Sequence, residues 1–194
     1  RLQHYFKIAY RNLIRHKAYS FITLSGMAIR ITSSILILLW VQHELSSDKF
    51  NTSAKQIYRV VCEVSGFKAA TNPSIMPSTL KQEMPVIKDF VSVQGTNTHL
   101  FEVGNRKFEE KRTYYATPSF LNVFSYPMIK GDPATALNRV DGVLITEDMA
   151  KKYFGSDDPM GKVLRVDNAE NLVVTGILAN VPANSHLQFD FIQP

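Results

Sequence analysis

The apolar residues follow three different rhythms along the chain. Between Leu2 and Ile14 they recur at helical spacing, at Leu2, Tyr5, Phe6, Ala9, Leu13 and Ile14, while Lys7, Arg11 and Arg15 fall mostly on other faces. That pattern predicts a basic amphipathic helix lying along a membrane surface, in preference to a merely solvated basic tail. From Phe21 to Val41, "FITLSGMAIRITSSILILLWV", the periodicity disappears and the chain is apolar almost throughout. Beyond residue 44 the apolar runs shorten and are separated by Gly, Pro, Asn and Asp, which predicts short strands and short helices.

In that third part "DKFNTSAKQ" predicts a short helix and "IYRVVCEV" a strand. "PSIMPSTLKQEMP" holds a proline-bounded helix, followed by the strand-like "VIKDFVSVQG". "LFEVGNRKFEEKRTYYAT" reads as a hairpin turning at Gly104-Asn105. A helix near "PSFLNVF", a strand at "YPMIKG" and a turn or helix at "DPATAL" come next. "GVLI" is a strand, and "TEDMAKKYFG" a helix capped by Thr146 and stopped by Gly155. "KVLRV" and "NLVVTGILANV" close as strands around the Asp167–Asn171 turn. No low-complexity linker and no internal repeat interrupts the run. The predicted fold class is α+β, organised as an amphipathic helix over 1–17, a membrane-spanning helix over 18–43 and one outer domain over 44–194, incomplete at its C-terminal end.

The central run passes an energetic test for a span. Ala18 to Val41 is 24 residues with one charge, enough to cross a hydrocarbon core of about 30 Å. Phe, Ile, Leu and Val occupy 11 positions between Phe21 and Val41, contributing on the order of −3 to −7 kcal/mol to insertion. The central Arg30 costs about 2.5–3.5 kcal/mol on the same scale, so the apolar residues win by a margin that a second charge would erase. Tyr19 and Trp40 mark the two ends, where aromatic side chains suit the membrane interface. The run is longer than a signal-peptide core, and "QHELSSDKF" after it offers no A-x-A cleavage pattern, so an uncleaved anchor is expected.

Charge confirms the direction. The net charge is +5, yet five of the 22 basic residues (Arg1, Lys7, Arg11, Arg15, Lys17) lie in 1–17 without an acid, and the other 17 balance the 17 acidic residues. The excess is therefore a flank of the apolar run, as for a cytoplasmic N-terminus, and not the basic face of a nucleic-acid-binding domain. Lys7, Arg11, Arg15 and Lys17 form that cytoplasmic flank; everything after about His43 lies on the far side.

Candidate chemistry is sparse. Cys62 is alone and sits in an apolar run, which fits a buried small side chain. "GSDDPMGK" has five residues between its glycines, and Val163 stands where a phosphate loop needs Ser or Thr, so it reads as a turn between a helix and a strand. His4, His16, His43, His99 and His186 are scattered without ligand spacing. Glu109-Glu110 and Asp157-Asp158 are sequence neighbours and are expected to be solvated. No catalytic residues, cofactor or metal ligands are assigned.

Several long stretches carry a resemblance. "RNLIRHKAYSFITLSGMAI", "ILILLWVQHELSSDKFNTSAKQIYRVV", "ATPSFLNVFSYPMIKGDPATAL", "VLITEDMAKKYFGSDDPMGKVLRVDN" and "VTGILANVPANSHLQFDFI" resemble the start of MacB/FtsX-type ABC transporter permeases, especially those of Bacteroidota. The resemblance implies a first transmembrane helix, most of a MacB-like periplasmic core domain, and three further transmembrane helices beyond Pro194. It implies a bacterial inner-membrane location, a separate cytoplasmic ATPase subunit that binds the ATP, and a second permease copy in a homodimer or related heterodimer. Periplasmic or outer-membrane partners and membrane lipid complete the set. Exported drugs, peptides or lipoproteins, or mechanical signalling without a substrate, would be the activity. Two other classes remain to be weighed: a single-span sensor, which needs a cytoplasmic output domain, and a tethered periplasmic enzyme, which needs a catalytic constellation.

Where such permeases read G-[LM]-A-[IL]-G, this chain has "GMAIR". Arg30 thus replaces the second glycine of a small-xxx-small pair and shares a helix face with Gly26, Ser33 and Ser34. Three readings stand: an intramembrane partner for Arg30 (an acid on another helix, or a bound anion), a tolerated snorkelling substitution, or an error in the sequence. Arg30→Gly is expected to leave insertion intact and to strengthen self-association of the helix. A transmembrane dimerisation reporter that shows no gain for the glycine variant would refute this.

Overall fold

The computed structural model describes residue 11 and residues 14–64, 66–69, 71–95 and 98–194. The amphipathic pattern expected over 1–17 rests largely on residues 1–10, 12 and 13, which lie outside the described residues. The chain divides into two compact units, residues 1–47 and 48–194.

The first unit is dominated by α1 (Lys17–Leu45), 29 residues without a buried side chain. At about 1.5 Å per residue it is about 43 Å long. Its interior contains one glycine and no proline, so no residue in it breaks the helix. The helix ends where Ser46 turns both its N–H and its hydroxyl onto the carbonyl of His43, at 3.1 and 2.7 Å. Phe21, Ile22, Leu24, Leu36, Leu38 and Trp40 are all exposed, a continuous apolar surface far beyond what soluble monomers leave in water.

The second unit begins with turns that tighten into a single 3-10 turn at Ala54–Gln56, shorter than the helix expected there. A two-stranded antiparallel ribbon follows, β1 (Cys62–Val64) with β2 (Phe67–Ala69). Residues 57–61, expected to extend that strand, have no partner strand; Asn72 Nδ2 instead donates to the carbonyl of Val60. Helix α2 (Met76–Glu83) starts with Pro77 in its first turn, as predicted. Cys62 is only half-buried, its thiol 3.7 Å from the Met76 sulfur.

Among the described residues, nine strands make the main sheet. They are β3 (Val93–Gly95), β4 (His99–Val103), β5 (Arg106–Glu110), β6 (Thr113–Ala116), β7 (Met128–Gly131), β8 (Gly142–Thr146), β9 (Val163–Val166), β10 (Glu170–Leu178) and β11 (Phe191–Gln193). Their spatial order is β3-β6-β11-β8-β10-β9-β4-β5, with β7 also pairing to β10. The β8–β10 and β11–β6 pairs are parallel, and the other pairs are antiparallel. Two further helices, α3 (Phe120–Val123) and α4 (Glu147–Phe154), complete the α+β fold.

The expected hairpin over 100–117 ends early. β4 and β5 turn at Gly104-Asn105 as predicted, but the chain leaves β5 at Glu110, and residues 113–116 cross to pair with β3 and β11. Arg112 directs this crossing: its carbonyl accepts the N–H groups of Asp190 and Phe191, at 2.7 and 3.2 Å. β11 was invisible as a strand because three residues, "FIQ", carry no periodicity.

The core occupies both faces of the sheet. Val143 and Ile145 of β8 pack with Tyr153 and Phe154 of α4 and with Phe101, Leu164, Val174 and Phe191. Leu144, between them, points the other way and packs with Phe120 of α3, Tyr126, Leu137, Leu178 and Ile192. The period-2 pleat explains this partition, and each fully buried aliphatic contributes about 1.5–3 kcal/mol. The ring of Phe101 stacks on Phe191 at 4.1 Å, tying β4 to β11 across the first face.

Thr146 occupies the predicted cap position of α4 with extended backbone, yet its hydroxyl makes no capping bond. Asn180 Oδ1 accepts the N–H of Asp148 instead, at 3.0 Å. At the end of β7, Gly131 has φ +105°, and a Cβ there would lie 2.8 Å from the carbonyl oxygen of Thr175 and 3.0 Å from Gly176 Cα. Both obstacles are backbone. Gly131→Ala is therefore expected to destabilise the outer domain by about 1–3 kcal/mol, and an unchanged denaturation midpoint would contradict this packing.

Candidate functional site

The sequence-derived site lies on α1. Gly26, Arg30, Ser33 and Ser34 are all helical, so their spacing holds them on one face. A Cβ at Gly26 would meet nothing within 4 Å, leaving that face open to close approach. Ser34 turns its hydroxyl back onto the carbonyl of Arg30 at 2.9 Å, and Ser25 does the same to Ile22 at 3.1 Å. Such back-bonding occupies the Ser34 hydroxyl, and Arg30 is the one charged residue of the four. Tyr19 and Trp40 are exposed near opposite ends of the helix, and Arg11, Arg15 and Lys17 are exposed. Lys7 lies outside the described residues.

The outer domain carries a polar cleft at the carboxyl end of β8, lined by Arg112, Thr146, Asp148, Asn180, Gln188 and Asp190, with Val181 and Phe189 beside them. Arg112 holds Asp190 in a bidentate pair, both bonds 2.9 Å, with the aspartate largely buried and the arginine half-exposed. Fork-on-carboxylate geometry is the strong form of this interaction. Spacing could not reveal it, since the partners are 78 residues apart.

A second polar cluster corrects an expectation. Glu109 is exposed, but Glu110 is buried and accepts two hydrogen bonds at 2.7 Å, from Lys152 Nζ and from the Tyr153 hydroxyl. Neighbours on a strand face opposite ways, and one of the two ways here is the underside of α4. Burial, followed by the bond to Glu110, pushes the Tyr153 hydroxyl well above its ordinary range. Lys152 also lies 4.5 Å from the centroid of the Phe108 ring, so the ammonium is shared between a carboxylate and an aromatic face. The arrangement fastens α4 to β5; Tyr153 stays protonated and offers no base.

The remaining motifs are structural in form. In "GSDDPMGK", Lys162 is paired to Asp157 at 3.0 Å and Asp158 to Lys130 at 3.1 Å. The N–H of Met160, and then Lys130, hold the Asp158 carboxyl below the usual carboxylate range. The segment is the connection between α4 and β9. Among the described residues, no group of three or more His, Cys, Asp or Glu side chains could hold a metal ion. His99 Nδ1 lies 2.6 Å from Asp167 Oδ2, while Asp167 Oδ1 accepts the Leu100 N–H at 2.8 Å. Asp167 and Asn168 both have positive φ, at 50° and 58°, the conformation that hairpin turns of the primed types require. Those contacts fix the β9–β10 turn onto the start of β4.

A family model for the MacB-like periplasmic core domain matches residues 20–193. No curated protein matches the chain. Among solved structures, a domain of a protein assigned as a permease from Porphyromonas gingivalis is 32% identical, with a TM-score of 0.45 over 54% of this chain and 48% of that one. The periplasmic region of MacB from Actinobacillus actinomycetemcomitans is 18% identical, with a TM-score of 0.49 over 63% and 55%. The extracellular domain of the ABC-type transporter YknZ from Gram-positive bacteria is 16% identical, with a TM-score of 0.43 over 54% and 53%. The chain thus spans about half the length of each of these structures.

The Asp167 contacts generate a pH dependence. The Leu100 N–H first, and His99 second, hold the Asp167 carboxyl below its ordinary value. A group depressed in the folded state contributes stability that is complete above its unfolded value, about pH 4, and is lost as pH falls through the lower folded one. Asp167→Asn is expected to flatten the acid limb of the outer domain's stability profile below about pH 4, with little change in that slope at neutral pH. An unchanged acid limb would show that the contacts carry no free energy.

Proposed function

The chain belongs to the MacB-like periplasmic core domain family, and from that premise we propose that it works within a permease subunit of an ABC-type exporter or mechanotransmission complex. The observation that carries the reading is continuity: the family match runs from residue 20, inside the apolar helix, to residue 193 of the sheet domain. α1 is the one helix among the described residues long and apolar enough to cross a membrane, and the chain's excess positive charge lies immediately before it.

Under this reading residues 18–43 span the bacterial inner membrane, the basic flank stays in the cytoplasm, and residues 44–194 form a periplasmic domain. A separate cytoplasmic ATPase binds the ATP and drives the cycle, and this chain supplies no cofactor site. A second permease copy completes the pair, with membrane lipid around it and periplasmic or outer-membrane components as further partners. The cargo is a drug, peptide or lipoprotein, or the output is mechanical.

Topology and partnership are tested together in membranes containing the full-length protein. Val140 is 92% exposed on the outer domain, so Val140→Cys in a Cys62→Ala background is expected to react with a membrane-impermeant maleimide added to intact spheroplasts. An ATP-binding subunit is expected to co-purify. Labelling only after lysis, or purification free of any ATPase, would overturn the reading.

A further inference from the structure

We propose that Arg30 docks α1 onto a different transmembrane helix, one carrying an aspartate or glutamate near mid-membrane. The proposal rests on the reading of residues 18–43 as a membrane span. It follows from eliminating three nearer partners for the guanidinium: the lipid headgroups, the rest of α1 and a second copy of α1.

Lipid is too far. Tyr19 is 11 residues before Arg30 and Trp40 is 10 after it, which places Arg30 about 16 Å and about 15 Å along the axis from the two interface markers. A fully extended arginine side chain, built from bonds of about 1.5 Å, reaches only about 7 Å. Snorkelling works near helix ends, and this position is at neither.

α1 itself offers nothing. None of the described hydrogen bonds or ion pairs engages the Arg30 guanidinium. The carbonyl of Arg30 receives the Ser34 hydroxyl, but that bond does nothing for the charged head. A second copy of α1 cannot help either. Residues 17–43 contain no Asp or Glu, and Glu44, 14 residues on, is about 21 Å along the axis. Two copies inserted in the same direction and packed on this face would set guanidinium against guanidinium, which disfavours that pairing.

The complement is then a carboxylate on a helix outside residues 17–45. Gly26 lies one turn before Arg30, with Ser33 and Ser34 one turn after it, and these small residues let a second backbone come close. An arginine fork then meets a carboxylate with two parallel hydrogen bonds, which fixes register as well as identity. Arg30 selects which helix packs here and excludes the copy of itself.

The test uses the full-length protein with its partners in native membranes. A photoreactive benzophenone amino acid is placed at Ser33 and irradiated, and the adduct is sequenced. The expected adduct is a membrane segment outside residues 17–45 that contains Asp or Glu. Adducts confined to residues 17–45 of a second copy, or to lipid, would overturn the proposal. Arg30→Glu and the neutral Arg30→Gln are each expected to lower the adduct yield by tenfold or more. Exchanging the identified acid for arginine in the Arg30→Glu background should restore it to within twofold, and lack of restoration also counts against pairing. Val140→Cys labelling in every variant reports separately whether the span survives. A variant inserted but uncoupled is distinguished in this way from a chain that never crossed the membrane.

Discussion

Strand β8 is buried along its whole length, and Val143, Leu144 and Ile145 are each no more than 1% exposed. A strand apolar on both faces cannot sit on the surface of a two-layer domain; it demands a cover on each side. α4 supplies one cover through Tyr153 and Phe154, and the segment from Phe120 to Leu137 supplies the other. The neighbours of β8 meet the same requirement: Phe191 of β11 faces α4 while Ile192 faces α3. The polar fastenings act at the margins of this arrangement. Glu110 holds α4 down through Lys152 and Tyr153, and Arg112 clamps Asp190 at the entry to β11. Removing Lys152 or Arg112 would leave a largely buried carboxylate without its counter-charge, which costs more than the bond contributed.

What the sequence made legible follows from locality. The β4–β5 hairpin, α2, β8 and α4 were readable because their signals lie within ten residues of one another: a Gly-Asn turn, a proline in the first turn, an unbroken "GVLI" and a Gly155 stop. β11 and the departure of β6 from the hairpin were not readable, because both are decided by residues near Asp190 meeting residues near Arg112. The burial of Glu110 was missed for the same reason. Side-by-side carboxylates look solvated until α4 arrives over one of them. Thr146 shows the limit in miniature: its place at the helix start was legible, but the group that caps Asp148 comes from Asn180, 32 residues later.

On α1 the balance reverses. A helix fixes the angular relation of its residues, so the face shared by Gly26, Arg30, Ser33 and Ser34 could be read from spacing alone. The structure adds that the Ser34 hydroxyl is spent on the helix's own backbone. The face keeps one charge, with the Ser33 hydroxyl and the small side of Gly26 beside it. Its complement was never legible, because the information lies in another segment.

The two units also differ in what they require of a partner. The sheet domain satisfies its strongest internal demand, the double-sided burial of β8, with its own helices, and close packing on both faces makes that region stiff. A stiff body transmits displacement with little internal loss, which suits the mechanical reading of a periplasmic permease domain. α1 satisfies almost none of its side chains: its apolar surface is exposed, and under the proposed pairing Arg30 requires one acid beside it. If the apolar surface alone governed assembly, any helix would serve as neighbour. On the proposed reading of residues 18–43 as a span, the charge removes that freedom, because a guanidinium held at mid-membrane without a partner is costly. On that reading a single residue makes helix pairing selective, at the cost of some of the insertion free energy that the 11 large apolar residues supply.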